Sequence, residues 1–489
     1  MTDAQLEQLS KPELITLVKQ LFDRLEQAEL RIAQLEAQVE QLTQENARLK
    51  KDSSTSSKPP SSDIVKPAPP PAKRGRGKRK IGGQPGHPKH ERAPFPPEQI
   101  DAAWDYTLDA CPDCGGVLQN ARREPRLVQQ VELVDKPVRI TEHRAPAHWC
   151  PRCRKVHQAL LPDAVRRAGL VGPRLTALVA YLKGGCHASY ATIQTYLRDV
   201  MKVDLSTGQL ARLIGKSSAA LRRPYEQLRA SLPDQARLNV DETGHKDRGD
   251  SHWTWCFRAP LFTLFRIDPS RGSDVLVEML GKQFAGVIGA DYFSAYRKYM
   301  GDFNVAVQFC LAHLIRDVRY LTTLDKATQK YGQRLLDHLR RLFRIIHRHS
   351  SGGDTMTRRR FERAMDKTRR QLLAAGKRPP WTAAAQNMAD RFRKHGDAYF
   401  RFLSTPGVPG VPGVEPTNNL AEQAIRFVVI DRKITQGTRG DAGQRWCERI
   451  WTTIATCVQQ DRSIFDFLQR AIQAHLTGHP APSLLCDSS

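Results

Sequence analysis

Three acidic residues have the chemical type and the placement of a metal-binding site. Asp241 ends a short predicted strand, and Asp291 directly follows the apolar run 286–290. Glu422 lies near the start of a predicted helix that has Pro416 in its first turn. Two carboxylates that are brought close together repel each other unless a cation lies between them. Oxygen ligands of this kind suit Mg²⁺, and Mn²⁺ can replace it. The sequence therefore predicts one site for these three acids, with Glu415 as a weaker rival for the third position.

The segments around these acids predict the fold that would bring them together. Strands are predicted at 236–242, 253–257, 262–267, 286–291 and 305–310, with one helix at 274–280 and another between the last two strands. This βββαβαβ order is typical of a ribonuclease-H-like core, a mixed sheet with helices on its faces. We expect Asp241 and Asp291 on neighbouring strands of that sheet. A single aspartate after a strand is usually an ordinary turn residue, so the hypothesis depends on the order of the whole set.

Four cysteines form two C-x-x-C pairs: Cys111 with Cys114, and Cys150 with Cys153. This spacing lets two thiolates on one tight turn reach the same ion, and structural zinc takes four such ligands. We therefore predict a zinc ribbon with a structural Zn²⁺, in which the alternating segment 127–133 forms strands. His157 could replace one cysteine, but with four cysteines present it is expected to be a bystander. The chain has only 10 cysteines in 489 residues, which indicates a reducing compartment rather than a disulfide framework.

The first fifty residues have the heptad pattern of a coiled coil. From Leu14 to Leu49, leucine recurs at most d positions and β-branched residues occupy several a positions. This combination favours a parallel two-stranded coil, and Asn46 at an a position would fix its register at a cost in stability. A single amphipathic helix packed on its own domain usually drifts off the seven-residue period. We therefore predict a homodimer that forms through residues 1–50.

The net charge of +25 indicates a polyanionic partner, most simply nucleic acid. Residues 51–100 are rich in Ser and Pro, which predicts a disordered linker. We expect the basic run within this linker to contact DNA through Lys73, Arg74, Arg76, Lys78, Arg79 and Lys80. Such a run could enter the minor groove, although non-specific phosphate contact is the favoured interpretation. The sequence has no apolar run long enough for a membrane span and no signal peptide, which excludes the membrane and secreted classes.

Residues 166–232 predict short helices of the helix-turn-helix type. A capping box of Ser206 and Gln209 starts the third of these helices. The polar face formed by Gln194, Arg198 and Lys202 suits DNA binding, and a plain helical bundle fits the pattern equally well. The predicted division of the chain is coiled coil 1–50, linker 51–100, zinc ribbon 101–165, helical region 166–232, catalytic core 233–310 with 406–440, basic helical insertion 311–405, and C-terminal helical segment 441–489.

Several of these motifs together resemble the transposases of the bacterial insertion-sequence-66 family. The resemblance rests on the N-terminal zipper, the C-x-x-C pairs, and the segments Gly82-Gly83-Gln84-Pro85-Gly86-His87, Asp241-Glu242-Thr243, Gly289-Ala290-Asp291, Asn418-Asn419-Leu420-Ala421-Glu422 and Arg432-Lys433 with Gly437. Thr417 stands where the family often has Asp, which makes Glu422 the clearer third acid. Cys310 and His313 resemble a C-x-x-H signature of related transposases, and a buried cysteine with a helix-capping histidine explains them equally well.

The resemblance implies a DDE transposase of the bacterial cytoplasm, associated with the nucleoid. Such an enzyme cuts double-stranded DNA at the terminal repeats of its element and joins the freed 3′-OH to target DNA. The resemblance also implies two Mg²⁺ ions about 4 Å apart, with Asp241 bridging them. Arg426 lies four residues after Glu422, on the same helix face, and is a further expected DNA contact. Small accessory proteins of the same element could be additional partners.

Other functional classes fit the sequence less well. The main alternative is a non-catalytic zinc-ribbon DNA-binding protein derived from a transposase, and convergence of the three carboxylates is the feature that discriminates the two. His313 and Arg316 match the H-x-x-R motif of tyrosine recombinases, but Tyr320 and Tyr331 follow too closely to serve as the downstream nucleophile. An exonuclease or resolvase on the same fold would not require a dimerising zipper.

Overall fold

The structure, a computed structural model, describes residues 10–49, 94–106, 108–110, 112–117, 127–135, 137–350, 358–404 and 413–485. The chain divides into two compact units, one of Met1–Ala68, Arg144–Thr195 and Leu205–Ser489, and one of Pro69–His143 and Tyr196–Asp204. The predicted basic run 73–80 and Cys111 lie outside the described residues. Among the helices that are described, none is both long and apolar enough to span a bilayer.

The N-terminal residues form one long helix, α1 (Lys11–Leu49). Glu13 accepts hydrogen bonds from the main-chain N–H and the hydroxyl of Ser10, so its side chain closes the first turn. The apolar residues at the heptad positions are exposed, with Leu21 at 56% and Leu35 at 45%. The described part of the chain therefore leaves the apolar stripe of α1 uncovered.

A short antiparallel hairpin surrounds the second cysteine pair. It consists of β1 (Ala147–Cys150) and β2 (Lys155–Gln158), and Cys150 lies opposite Lys155. The prediction of strands at 127–133 was wrong, because those residues form no strand. Their alternating apolar side chains stay exposed, with Val131 at 71%, and they pair with no strand in the described part of the chain.

The helical region contains α2 (Asp163–Ala168), α3 (Pro173–Gly184), α4 (Tyr190–Asp199), α5 (Thr207–Ala220) and α6 (Arg222–Ala230). The predicted capping box is present, because Ser206 and Gln209 exchange hydrogen bonds at the start of α5. The side chain of Gln194 donates to the carbonyl of Leu205 at 2.8 Å. Gln194 therefore ties α4 to the segment before α5 and is not free for the DNA-facing role that the sequence suggested.

The central sheet is built from β3 (Arg237–Asp247), β4 (Asp250–Arg258), β5 (Thr263–Asp268), β6 (Val287–Ala290) and β7 (Ala306–Phe309), with α7 (Ser273–Leu280) before β6 and α8 (Ser294–Phe303) before β7. The strands lie in the order β5-β4-β3-β6-β7. The first three strands are antiparallel, whereas β6 and β7 run parallel to β3. The predicted mixed α/β architecture is confirmed, although β3 and β4 are both longer than predicted.

The remaining helices are α9 (Leu311–Leu321), α10 (Lys326–Ser350), α11 (Arg358–Gly376), α12 (Ala383–His395), α13 (Arg401–Ser404), α14 (Asn419–Thr435), α15 (Asp441–Gln459) and α16 (Ile464–Thr477), with a 3₁₀ turn at Gly396–Tyr399. Helix α15 protects the edge of the sheet at β5. Thr456, Thr452 and Glu448, spaced by four residues on one face of α15, accept the N–H groups of Thr263, Phe265 and Ile267. An edge strand whose N–H groups are paired in this way offers no template for aggregation.

Candidate functional site

The register of the sheet places Asp241 and Asp291 side by side. Strand β3 pairs in parallel with β6, and Asn239 lies opposite Gly289. Each aspartate comes two residues after one member of this pair, at the same end of the two strands. Asp291 accepts the N–H of Phe293 at 2.9 Å, which fixes its carboxylate just beyond the strand. The parallel pairing of β3 and β6 therefore brings the two acids together, as the sequence predicted.

Asn418 attaches the third acidic segment directly to β3. The Asn418 side chain donates to the carbonyl of Val240 at 2.8 Å and accepts from the side chain of Asn239 at 2.9 Å. Asn418 is 1% exposed and immediately precedes α14. Glu422 lies one turn further along, and its N–H donates to the Asn418 carbonyl at 3.2 Å. These contacts hold the first turn of α14 against the strand that carries Asp241.

The start of this helix differs from the prediction. The sequence suggested that Pro416 occupies the first turn, but α14 begins at Asn419. The carbonyl of Pro416 instead accepts the N–H of Leu311 at 2.9 Å. Pro416 thus lies in a bend before the helix that is bonded to the start of α9, and Asn418 provides the entry into α14.

Replacing Asn418 should destabilise the protein more than replacing its neighbour. Asn418→Ala leaves the buried carbonyl of Val240 and the amide of Asn239 without their partner, and we expect the free energy of unfolding to fall by about 2 kcal/mol. Asn419→Ala is the matched control, because Asn419 is exposed, and it should change the stability little. Thermal unfolding of both variants measures the difference, and equal melting temperatures would contradict this role of Asn418.

The C-terminal end of α14 is also bonded to β3. Arg432 donates to the hydroxyl of Thr243 at 3.1 Å and to the carbonyl of Gly244. Beyond the helix, Thr438 donates its N–H to the carbonyl of Lys246 at 2.8 Å. Gly437 has φ +98°, and a Cβ atom there would lie 2.1 Å from the carbonyl oxygen of Lys246. This close approach of two backbones explains why a glycine follows the Arg-Lys motif.

The pKa of Asp241 is shifted by burial and by its acidic neighbours. Burial is the largest cause of a pKa for Asp241 that lies well above its usual range, and neighbouring carboxylates raise it further: Glu242, Asp291 and Glu422. Glu415, the weaker rival, acts elsewhere. Burial lowers the pKa of Arg237 and of Arg258, and the Glu415 carboxylate opposes that shift in both.

Asp291 shares this environment. Burial raises the pKa of Asp291 to about 7, and the carboxylate of Glu242 raises it as well. The N–H of Phe293 and the guanidinium of Arg271 act in the opposite direction. A cation bound beside buried carboxylates such as these would favour their ionised form.

The side chain of Glu422 faces a histidine and an arginine from α9. Oε1 lies 3.5 Å from His313 Nδ1, and Oε2 lies 3.6 Å from Arg316 Nη2. Both Glu422 Oε1 and His313 Nδ1 are buried, and neither has a hydrogen-bond partner among the described residues. Burial, followed by the charge of Arg316, lowers the pKa of His313. Glu422 therefore keeps an unused acceptor oxygen within the site.

Among the described residues, one group of side chains has its ligand atoms close enough together to hold a metal ion. The group is Cys310, His313 and Glu422, whose ligand atoms all lie within 4.8 Å of one another. Cysteine binds zinc as the thiolate. Burial raises the pKa of Cys310 to about 11, which opposes that form, whereas the N–H of Asn418 donates to the sulfur and favours it. The carboxylates of Asp241, Asp291 and Glu422 offer only oxygen atoms, the ligands that a hard cation such as Mg²⁺ prefers.

A fourth acid, Glu242, lies in the cluster with both oxygens occupied. Arg271 donates to Oε1 from Nε at 3.0 Å and from Nη2 at 2.8 Å, and the Tyr296 hydroxyl donates to Oε2 at 2.5 Å. The Glu242 side chain is 2% exposed. Glu242 therefore organises its neighbours and is not available as a metal ligand. The Asp241-Glu242-Thr243 motif does not by itself indicate this role of Glu242. The sequence around Arg271 and Tyr296 has no motif that indicates their contacts with Glu242.

Comparison with known proteins identifies the family. Residues 168–445 match the model of the family described as Transposase IS66 family. The chain belongs to this family. Residues 1–93 match a family of unknown function, DUF6444. The resemblance inferred from the sequence motifs is thus confirmed, and membership implies a DNA-processing protein that binds DNA and, in general, uses a divalent metal.

Two relatives come from Sinorhizobium fredii. The uncharacterized protein y4qI is 24% identical over 432 residues, which cover 81% of this chain and 77% of the relative. The uncharacterized protein y4hP is 21% identical over 406 residues, which cover 76% of this chain and 72% of the relative. The similarity to both relatives therefore extends beyond the segment that matches the transposase family.

The described cysteines of the two C-x-x-C pairs in this IS66-family protein lie in or beside turns. Cys114 is exposed, and Cys150 and Cys153 lie at the turn of the β1–β2 hairpin. The N–H and the thiol of Cys153 lower the pKa of Cys150, with a further contribution from the N–H of Arg152. The Sγ atom of Cys153 lies 3.2 Å from Nε2 of His157. Hydrogen bonds from main-chain N–H groups favour the thiolate, which is the form that binds zinc.

The residues that the sequence predicts to contact DNA differ in how accessible their side chains are. Arg426 is exposed on α14, one turn beyond Glu422. Arg198 is exposed and paired with Asp199 at 2.8 Å, and Lys202 donates to the Asp199 carbonyl. These cations are accessible to a polyanion, in contrast to Gln194.

Proposed function

We propose that this protein is a DDE transposase that cuts DNA at the ends of its element and joins the freed 3′-OH to target DNA. The observation that carries the proposal is how the chain joins three acidic segments: β3 pairs in parallel with β6, and Asn418 bonds the start of α14 to β3. Asp241 lies in β3, Asp291 follows β6, and Glu422 lies in the first turn of α14. Membership of the transposase family supports the same reaction.

The sheet topology supports a ribonuclease-H-like core for this reaction. Three antiparallel strands are followed by two strands parallel to the first. That arrangement places Asp241 in the central strand and Asp291 beside it, as this core requires. We assign the core to 233–310 with 406–440, and we assign the helices of 311–405 to an insertion. The first helix of the insertion, α9, brings His313 and Arg316 to Glu422.

Asp241, Asp291 and Glu422 are the residues that would hold Mg²⁺ or Mn²⁺. Bound divalent cations would supply positive charge that activates the attacking oxygen and stabilises the leaving oxygen and the phosphate between them. The chain itself fixes the geometry: Phe293 holds Asp291, and Asn418 holds the helix of Glu422. Both oxygens of Glu242 already accept hydrogen bonds from Arg271 and Tyr296. The other three carboxylates of the cluster are therefore the ones that remain for cations.

A strand-transfer assay tests the proposed function. The wild-type protein is incubated with duplex DNA that carries the element's own end and with a target plasmid, in Mg²⁺, Mn²⁺, Ca²⁺ or EDTA. We expect joined products in Mg²⁺ and Mn²⁺, and binding without products in Ca²⁺ and EDTA. DNA binding without cleavage in any metal would favour the non-catalytic DNA-binding alternative. Cleavage that persists in EDTA would contradict the carboxylate mechanism.

We also propose that α1 forms a parallel coiled-coil dimer. Its apolar heptad residues are exposed in the single chain, and a second copy of α1 would cover them. Replacing both Leu21 and Leu35 by Asp puts charges at two d positions, and we expect the full-length protein to sediment as a monomer at micromolar concentration. The control replaces Gln20 and Gln34 by Asp on the outer face and should remain a dimer. A dimer in both double variants would contradict this interface.

The remaining parts of the chain are assigned in the same way. We propose structural Zn²⁺ in a ribbon at 101–165, held by Cys111, Cys114, Cys150 and Cys153. Within the linker 51–100, the basic run 73–80 contacts DNA phosphates, and Arg426 contacts DNA near Glu422. The helical region 166–232 contributes to binding of the element's ends, and 441–489 includes all of α15, the helix that supports the sheet edge.

A further inference from the structure

The guanidinium of Arg271 is held in a fixed orientation between two aromatic rings. Its Cζ atom lies 4.3 Å from the ring centre of Trp253 and 3.9 Å from that of Phe293. Nε and Nη2 are bonded to one oxygen of the buried Glu242. Aromatic faces and a charged hydrogen bond together restrict an arginine far more than either does alone. Arg271 is therefore positioned before any ligand arrives.

The loop that carries Arg271 is also restrained by its own hydrogen bonds. The carbonyl of Ser270 accepts the indole N–H of Trp255 at 3.1 Å, and its hydroxyl accepts the N–H of Gly272 at 2.9 Å. The N–H of Ser270 donates to Asp268 at 2.9 Å. Three separate bonds thus fix a loop of a few residues between β5 and α7.

Part of this arginine remains available to a ligand. Its side chain is 38% exposed, and within the described residues Nη1 makes no hydrogen bond. Arg271 also acts on the carboxylate of Asp291, whose pKa it lowers. The two hydrogen bonds to Glu242 use only the Nε and Nη2 atoms of the guanidinium. Its Nη1 atom therefore remains available to a ligand beside the acidic cluster.

A DNA strand that enters this cluster needs positive charge from the protein. The cluster contains Asp241, Glu242, Asp291 and Glu422, and each repels a phosphate. Cations that are already in place act on such a group without a cost of reorganisation. Arginine presents donors in a planar fork that matches phosphate oxygens. Its fixed orientation and free Nη1 make Arg271 the cation beside Asp291 and Glu242 best suited to this task.

We propose that Arg271 binds a backbone phosphate of the DNA strand held at the carboxylate site. This inference rests on the proposed function for its ligand, DNA, but not on the chemical step. Glu242, Tyr296, Trp253 and Phe293 act as positioning residues that keep the guanidinium aimed at that phosphate.

Neutral methylphosphonate groups, placed one at a time along an element-end duplex, test the proposal. Binding is measured by fluorescence anisotropy in Ca²⁺, so no turnover is required. We expect the wild-type protein to lose about 10- to 100-fold in affinity at the phosphate that Arg271 contacts, the range of a charge-assisted hydrogen bond. In Arg271→Gln that position should cost no additional affinity, while other sensitive positions keep their penalties.

Two further variants separate phosphate binding from a structural role. Arg445→Gln removes another half-exposed arginine that pairs with a buried glutamate, Glu448, and it should keep the wild-type profile. If Arg271→Gln unfolds because Glu242 is left buried and charged, the double variant with Glu242→Gln removes that charge and gives the same reading. An unchanged methylphosphonate profile in the folded variant would overturn the inference. Absence of strand transfer by the wild type would overturn the proposed function instead.

Discussion

Replacing Asp241 or Asp291 by Asn, or Glu422 by Gln, should lower both cleavage and joining by at least about three orders of magnitude. Each replacement keeps the shape of the side chain but removes one anionic ligand. Cation binding and stabilisation of charge at the reacting phosphate should therefore fail together. The measurement is the rate of strand transfer in Mg²⁺ with the element's own end.

The matched control for this prediction is Glu415→Gln. Glu415 acts on Arg237 and Arg258 and not on Asp241, so its replacement should change the rate little. DNA binding in Ca²⁺ should survive in all four variants, since it depends on the basic surfaces of the protein. A Glu422→Gln variant that transfers strands normally, beside an inactive Glu415→Gln, would show that the third ligand is misplaced.

Replacing Cys150 by Ser should remove the structural zinc and unfold the module that it holds. Structural zinc contributes about 10–16 kcal/mol in small zinc-binding peptides, so its loss leaves little to stabilise a hairpin with exposed strands. We expect one zinc per chain in the wild type and none in the variant, measured by elemental analysis. Affinity for the element's end should fall with it.

Cys186→Ser is the control for the zinc prediction. Cys186 is an exposed free cysteine that lies outside both C-x-x-C pairs. This variant should keep its zinc and its DNA affinity. Metal-free wild-type protein with normal binding of the element's end would contradict the proposed ribbon.

The sequence predicted the sheet well because its signals are local. Short apolar strands, separated by turns and two helices, indicate β3 to β7 without any knowledge of tertiary contacts. Asp241 and Asp291 could be placed side by side because parallel strands align their ends. The prediction of strands at 127–133 failed because it depends on a tertiary contact. Alternation indicates a strand only if a partner strand exists, and the described residues provide none.

The support of the site could not be predicted, because its contacts join residues far apart in the chain. Asn418 bonds to Val240 across 178 positions, and Arg271 reaches Glu242 across 29. Neither residue differs in its local pattern from an ordinary turn residue. Proline is common in the first turn of a helix, which favours a helix start at Pro416. The carbonyl of Pro416 is instead bonded to Leu311, and the helix begins at Asn419.

The most direct test of the account is to locate a bound catalytic cation. Crystals of the protein soaked in Mn²⁺ can be measured at the manganese absorption edge, where the anomalous signal marks the ion. We predict a peak that is coordinated by carboxylate oxygens of Asp241, Asp291 and Glu422. A peak coordinated by Cys310, His313 and Glu422, or no peak near Asp241, would contradict the proposed catalytic site.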